Sequence, residues 1–78
     1  MKAVILLRTN PGSETSAYEH IQTVSAPGVK ITEKLHVFGR VDGVIMCEAE
    51  SLNGLGKLGE ELRRGGVFHT ETLISLAD

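Results

Sequence analysis

The segment Val29–Glu50, VKITEKLHVFGRVDGVIMCEAE, decides the fold of this chain. Apolar and polar residues alternate in its first part, which is the period of a half-buried strand. A short loop, Gly39–Gly43, follows, and Val44–Glu50 resumes as a second strand. Because so short a loop joins antiparallel neighbours, the segment predicts a β-hairpin. The alternating apolar positions are Val29, Ile31, Leu35 and Val37.

The elements on either side of this hairpin complete the fold. Ala3–Leu7 is a predicted strand that ends at the turn signal Asn10-Pro11-Gly12. Ser13 is a candidate cap for a helix that stops at Ala26-Pro27-Gly28. Ser51 is a second candidate cap, for a helix with a leucine stripe at positions 52, 55, 58 and 62 that ends at Gly65-Gly66. A last strand runs from Val67 to about Leu76. The order is βαββαβ, so we expect a single α+β domain over residues 1–78, with a ferredoxin-like, four-stranded antiparallel sheet and both helices on one face.

The strands predict that the chain forms a homo-oligomer. Two helices cover one face of such a sheet, yet Ala3–Leu7 and Val44–Cys47 are apolar on consecutive residues and hence on both faces. In the last strand, Val67 and Leu73 are expected on one side and Phe68, Ile74 and Leu76 on the other. A chain of 78 residues has a modest core, and its single cysteine excludes an internal disulfide. A second sheet packed face to face is the expected solution.

Composition and charge argue against several classes of function and location. A net charge of −2, with 23% charged residues of both signs, argues against direct nucleic-acid binding, which needs a basic surface. The basic pair Arg63-Arg64 falls at a predicted helix end, where cations suit the helix dipole. The apolar run Ala3–Leu7 is too short for a signal peptide or a membrane span. We therefore expect a cytoplasmic protein without membrane contact, in which Cys47 is a reduced, buried thiol.

Motifs for chemistry are weak. Gly54–Gly59 matches GxGxxG, but it lies inside the predicted second helix rather than in the turn before it, so close helix packing is the preferred interpretation over dinucleotide binding. The three histidines, His20, His36 and His69, lie on separate elements without metal-ligand spacing. The few aromatic residues argue against an RNA-binding sheet. No catalytic residue, metal or cofactor is assigned.

The hairpin loop is the strongest candidate site. Two glycines, Gly39 and Gly43, allow close approach to the backbone, and Asp42 offers a carboxylate beside exposed N–H groups. Such a loop could hold a zwitterion, with its carboxylate on the N–H groups and its ammonium on Asp42. Gly and Asp are also ordinary turn residues, so a plain turn remains the alternative.

Four motifs in order resemble the ligand-binding domain of the AsnC/Lrp family, also called the RAM domain, over essentially the whole chain. They are Pro27-Gly28-Val29, Phe38-Gly39-Arg40-Val41-Asp42, the strand Val44–Glu50, and Val67 with Thr70-Glu71-Thr72-Leu73. The resemblance implies dimers whose sheets pack face to face as a dimeric α/β barrel, associating into octamers or decamers. It also implies a free amino acid bound between dimers near Gly39 and Asp42, with Arg40, Val41, Thr70 and Thr72 as neighbours. Family members place a helix-turn-helix before this domain, whereas here a stand-alone form is expected.

These features lead to one functional hypothesis and several alternatives. The hypothesis is an oligomeric amino-acid-binding domain, not an enzyme, with a regulatory role in transcription or amino-acid metabolism. It would act by ligand-linked assembly, with full-length AsnC/Lrp-type regulators as further partners. The GYD family and ACT domains share parts of the pattern. A small dimeric α/β-barrel enzyme resembling cofactor-independent oxygenases, using His36 or His69 between the sheets, is the competing function.

Overall fold

The fold consists of one four-stranded antiparallel sheet and two helices, as predicted. The structure, a computed structural model, describes residues 1–76. The elements are β1 (Lys2–Thr9), α1 (Glu14–Thr23), β2 (Val29–His36), β3 (Gly43–Ala49), α2 (Leu52–Arg63) and β4 (Val67–Ile74). The strand order is β2-β3-β1-β4, so β2 and β4 form the two edges. The predicted ferredoxin-like βαββαβ class is confirmed.

Both helices cover the same face of the sheet and enclose one core. Along β1 as far as Leu7, and along β3, the odd-numbered residues are buried, among them Ile5, Leu7 and Ile45, none of which is exposed to solvent. They pack against buried residues of the helices in a single cluster. From the helices this cluster takes Ala17, Ile21, Leu55, Leu58 and Leu62. Leu52, the first residue of the predicted leucine stripe, is 63% exposed and is not part of the core.

Strand β2 departs from the predicted alternation. Ile31 lies opposite Cys47 and Glu33 lies opposite Met46, so one extra residue is inserted between them. A bulge of this kind reverses which face the following side chains occupy. Val29 and Ile31 therefore face the helices, whereas Leu35 lies opposite Val44 on the uncovered face. The prediction that Leu35 shares a face with Ile31 was wrong.

The last strand also has an irregularity. Arg8 pairs with His69 and Thr9 pairs with Val67, which leaves Phe68 as an inserted residue. Val67 is buried in the core, while Leu73 pairs with Val4 on the uncovered face. The prediction that Val67 and Leu73 share one side of β4 was wrong for this reason.

The two predicted helix caps differ in outcome. The Ser51 hydroxyl accepts a hydrogen bond from the Gly54 backbone N–H at 3.3 Å, so this cap is confirmed. Ser13 occupies the corresponding position before α1, but its side chain makes no capping hydrogen bond. Instead α1 is tied to the end of α2, because the His20 ring nitrogen donates to the Glu61 carbonyl at 2.6 Å.

The glycines of α2 partly support the packing interpretation of the GxGxxG pattern. A methyl group at Gly54 would lie 3.1 Å from the Val29 Cγ2 atom, so the helix approaches β2 closely there. Gly59 is covered by the Arg63 guanidinium, and Gly56 faces open space. Close packing therefore explains one of the three glycines directly.

Cys47 lies in the core with 2% of its surface exposed. Burial raises the pKa of its thiol, although the positive N-terminus acts in the opposite direction. Neither described helix is long and apolar enough to cross a lipid bilayer.

Candidate functional site

The face of the sheet opposite the helices presents an apolar surface. Cross-strand partners in an antiparallel sheet share a face, so the register identifies its members. We call this set the helix-free face. Its apolar members are Val4, Leu6, Leu35, Val44, Met46 and Leu73.

This face is only partly shielded by the chain itself. Leu35, Met46 and Leu73 are 45%, 39% and 49% exposed, while Val4, Leu6 and Val44 in the centre are half-buried. Within residues 1–76 both helices lie on the other side of the sheet, so no helix covers these side chains. The sequence prediction that the sheet is apolar on both faces is confirmed.

An open concavity of about 630 Å³ lies at one end of the helix-free face. Its lining joins β1 and β4 to the β2–β3 loop. We call it the rim concavity, and its residues are Leu6, Arg8, Arg40, Val41, His69 and Glu71. Two of the predicted site residues, Arg40 and Val41, are therefore next to each other in a depression that can admit a small molecule.

The Asp42 carboxylate holds the hairpin to the end of β1. Its Oδ2 atom accepts hydrogen bonds from the Thr9 backbone N–H at 2.8 Å and from the Thr9 hydroxyl at 3.3 Å. The Asp42 backbone N–H donates to the Leu7 carbonyl at 2.8 Å, and its carbonyl accepts from the Val37 N–H at 3.1 Å. These bonds fix the loop, so Asp42 has a structural role that the sequence did not predict.

Gly39 supports the same loop through its backbone. Its φ angle is +149°, a conformation that residues with a side chain rarely adopt. A methyl group there would meet no atom within 4 Å. Glycine is therefore required at this position for its backbone conformation and not for lack of space, since the surface of the loop is open there.

Thr70 and Thr72 lie elsewhere in the subunit. They line a groove between the edge strand β4 and helix α2, together with Gly56 and Gly59. The Arg63 guanidinium donates a hydrogen bond to the Thr70 hydroxyl at 3.0 Å and spans this groove. Neighbouring Arg64 forms a salt bridge with Glu61 at 2.9 Å, so both arginines of the basic pair have partners within the domain.

The six predicted site residues thus occupy three places within one subunit. Arg40 and Val41 line the rim concavity, Gly39 and Asp42 form the loop behind it, and the two threonines line the α2–β4 groove. Only the first two groups adjoin each other. The rim concavity and the α2–β4 groove have no lining residue in common.

The histidines are also separated. The His36 ring packs against Tyr18 of α1, with ring centroids 4.7 Å apart, so it faces the helices rather than the inter-sheet space. His69 does lie on the helix-free face, opposite Arg8. Among residues 1–76 no group of three or more His, Cys, Asp or Glu side chains is arranged to hold a metal ion.

Sequence reasoning missed Arg8, Glu71 and Thr9 as members of this region. Arg8 could have been found, since it follows Val4 and Leu6 in the same strand phase. Glu71 was placed only within the family motif, and its position depended on the bulge at Phe68. The role of Thr9 depends on a contact between residues 33 positions apart in the chain, for which the sequence carries no signal.

Comparisons with known proteins identify the fold. No protein-family model matches the chain and no curated protein matches it. Among solved structures, FFRP-DM1 is similar with a TM-score of 0.72 and 26% identity, over 96% of this chain and 97% of that chain. The hypothetical protein PHS023 from Pyrococcus horikoshii is similar with a TM-score of 0.68 and 24% identity, over 99% and 90% of the two chains.

Longer proteins contain the same fold as one part. E. coli AsnC matches with a TM-score of 0.77 and 20% identity, and the similarity covers 99% of this chain but 51% of AsnC. The present chain thus corresponds to about half of that protein. The structural resemblance that the sequence motifs predict is confirmed, and the chain has the same βαββαβ fold as FFRP-DM1, PHS023 and the matching half of AsnC.

Proposed function

We propose that this chain is an oligomeric, regulatory ligand-binding domain that takes a free amino acid and acts by ligand-linked assembly. The observation that carries the proposal is the apolar helix-free face. Its regulatory role, in transcription or amino-acid metabolism, is inferred from the similarity to AsnC. No chemical step is assigned to it.

The first part of the proposal is a dimer formed by two helix-free faces. Leu35, Met46 and Leu73 each retain roughly 40–50% of their surface in water. Burying the remainder of each side chain contributes about 1 kcal/mol, and the half-buried valines and leucine in the centre add to this. An isologous pairing of this kind also removes from water an apolar surface that would otherwise promote non-specific association. A barrel of two packed sheets is the result.

The second part is the ligand position at the Gly39–Asp42 loop. Thr9 contacts only the Oδ2 atom of Asp42, which leaves Oδ1 for the ammonium group of an amino acid. Arg40 is two residues before Asp42 in the same loop, and its guanidinium is suited to the carboxylate group of the amino acid. Thr70 and Thr72 line the groove beside α2 and not the rim concavity, so the proposal takes the threonines of this site from a neighbouring dimer.

A charge placed on the helix-free face tests the dimer. Val44→Lys puts an ammonium group at the centre of the paired faces, where burying it unpaired is costly. We expect the mass measured by light scattering on a sizing column to fall to that of a single chain at micromolar concentration. Leu52→Lys is the matched control, since Leu52 is exposed on α2, away from this face.

Wild-type protein that elutes as a monomer at micromolar concentration would refute the dimer. Equal dissociation of the Val44→Lys and Leu52→Lys variants would assign the interface to another surface.

A thermal-shift screen of the twenty amino acids tests the ligand. At a concentration of 100 times the Kd, a ligand adds about 2.7 kcal/mol, which is about 10 °C or more in Tm for a domain of this size. Asp42→Asn keeps a hydrogen-bond acceptor for Thr9 but removes the negative charge, so we expect the shift to disappear while the oligomer persists. A folded wild-type protein that responds to none of the twenty would exclude amino-acid sensing, and a shift retained in Asp42→Asn would exclude this carboxylate from the site.

A further inference from the structure

We propose that the outer edge of β4 pairs with β4 of a second copy of this chain, as an antiparallel two-fold pair centred on Thr72. The contact goes beyond the proposed function, because it needs no ligand and does not use the helix-free face. A face-to-face dimer packs side chains that stand out from the sheet, whereas strand pairing uses backbone groups that lie in its plane. The two contacts therefore do not compete for the same groups.

The two edge strands differ in how they resist pairing. Strand β2 carries Lys30 and Lys34, and an inserted residue before Glu33 interrupts its register. Lysines and bulges are features that discourage an edge strand from pairing with another chain. Strand β4 has no lysine and no proline, and its register with β1 is regular over residues 69–74. The β4 edge is therefore the one suited to a further strand.

Every second residue of β4 directs its backbone groups away from the sheet. The Ser75 N–H donates to the Lys2 carbonyl at 2.9 Å, one step along the β1–β4 register. Hydrogen-bonded and non-hydrogen-bonded pairs alternate along an antiparallel ladder, so the odd-numbered residues at this end of β4 bond to β1. The N–H and C=O groups of Thr70, Thr72 and Ile74 consequently point outward. Among residues 1–76 no strand lies beyond β4 to receive them.

A second copy of β4 fits this edge better than the other edge strand does. A strand that pairs with itself across a two-fold axis closes the contact, because the edge on each side is used once. Pairing of β4 with β2 of another copy would leave a free edge on each side, so that further copies could add without limit. The bulge and the lysines of β2 also oppose that arrangement.

A centre at Thr72 uses every outward residue of the strand. In this register Thr72 lies opposite Thr72 of the second copy, and Thr70 lies opposite Ile74 of the second copy. Each such pair exchanges two backbone hydrogen bonds. A centre at Leu73 or Glu71 would pair only two of the three outward residues within the strand.

Charge also favours this centre. A centre at Glu71 would place two carboxylates directly opposite each other, which destabilises a strand pair. A centre at Thr70 would bring two Arg63 guanidinium groups together, because each donates to a Thr70 hydroxyl at 3.0 Å. With the centre at Thr72, the two Thr70 residues are four steps apart along the strands, about 14 Å. Like charges are then no longer opposite each other.

The side chains on the helix side of this edge support self-association. Ile74 is 40% exposed and Leu52 is 63% exposed, and both line the α2–β4 groove. A two-fold axis perpendicular to the sheet brings the second α2 to the same side, so the second copy covers part of this apolar surface. The area is small, so the contact forms at protein concentrations above those that maintain the face-to-face dimer. Val44→Lys is therefore still expected to be a single chain at micromolar concentration.

Disulfide cross-linking tests the register. Cys47, the one native cysteine, is 2% exposed and is not available at the surface. We expect Thr72→Cys, treated with a copper oxidant at concentrations above micromolar, to form a covalent pair of chains roughly tenfold faster than Thr70→Cys. The Cα atoms of the two residues 72 are about 5.5 Å apart in such a pair, which is within the reach of a disulfide. A mixture of Thr70→Cys and Ile74→Cys should cross-link faster than either variant alone, because these positions lie opposite each other.

Proline at the centre tests the backbone groups. Thr72→Pro removes an outward N–H and leaves the ladder with β1 intact, whereas Thr72→Val keeps the N–H and removes only the hydroxyl. Light scattering at increasing concentration should show masses above that of a dimer for the wild type and Thr72→Val, and a limit at the dimer for Thr72→Pro. Circular dichroism checks that each variant is folded, and the cross-linking rates decide the question if Thr72→Pro does not fold.

Four results would overturn this pairing. They are a wild-type mass that never exceeds that of a dimer, equal cross-linking rates for Thr70→Cys and Thr72→Cys, equal loss of assembly in Thr72→Val and Thr72→Pro, and faster cross-linking when Thr72→Cys is mixed with Thr32→Cys. The last result would assign the edge to β2 of another copy. None of them affects the face-to-face dimer or the amino-acid site, which Val44→Lys and Asp42→Asn test separately.

Discussion

Replacing Asp42 by alanine removes the acceptor that joins the β2–β3 hairpin to the end of β1. The Oδ2 atom accepts from the Thr9 N–H at 2.8 Å, and its bond to the Thr9 hydroxyl at 3.3 Å is longer and contributes less. A hydrogen bond to a charged group contributes about 1.5–3 kcal/mol, and Asp42 is only partly buried, so we expect Asp42→Ala to lower the free energy of unfolding by about 2 kcal/mol. Two bonds from the Asp42 backbone are unaffected by the substitution.

Urea denaturation followed by circular dichroism measures this loss. With an m-value of about 1 kcal/mol/M for a small domain, the midpoint should fall by about 2 M. All variants are compared at the same protein concentration, because self-association stabilises the folded state. Asp42→Asn keeps an acceptor and should lose about half as much as alanine, and Thr9→Val removes only the longer bond and should lose less than about 1 kcal/mol. A loss below 0.5 kcal/mol in Asp42→Ala, or equal losses in the alanine and asparagine variants, would refute the structural role of this carboxylate.

Two further predictions concern the glycines of the second half of the chain. Gly56→Ala should raise the free energy of unfolding by about 0.8–1 kcal/mol in the same denaturation assay, because its added methyl group meets no atom within 4 Å and alanine favours the helix. Gly54→Ala should show no such gain, because overpacking against β2 costs about 1–3 kcal/mol. Equal effects of the two substitutions on the free energy of unfolding would contradict the close approach of α2 to β2. Gly65→Ala should destabilise the domain because the new methyl group would overlap the His20 ring, and the double variant Gly65→Ala with His20→Ala should recover part of the loss. A Gly65→Ala variant as stable as the wild type would show that this contact between α1 and the end of α2 is not rigid.

Much of the fold could be predicted because its signals are local. The change of apolar period at Val29, the glycines of the hairpin loop and the cap at Ser51 each act within a few residues, so they are readable along the chain. The two-sided apolar character of β1 and β3 is local in the same sense. Together with the prediction of both helices on one face, it indicates that apolar side chains occupy the face that the helices leave uncovered.

The site was less predictable because its parts come from distant segments. The Gly39–Asp42 loop was found from its composition, but the bond from Thr9 to Asp42 and the pairing of Arg8 with His69 join residues that are far apart in sequence. No local pattern in the chain indicates that Thr70 and Thr72 line a groove by α2, away from that loop.

The sequence by itself determined the order of the elements, the antiparallel hairpin and the presence of apolar residues for both faces of the sheet. Only the tertiary structure decided which side chains share each face. The physical reason is that strand side chains alternate with a period of two, so one inserted residue, in β2 before Glu33 or in β4 at Phe68, reverses the face of every residue that follows. Those two insertions place Leu35, His69 and Leu73 on the helix-free face and turn His36 towards α1.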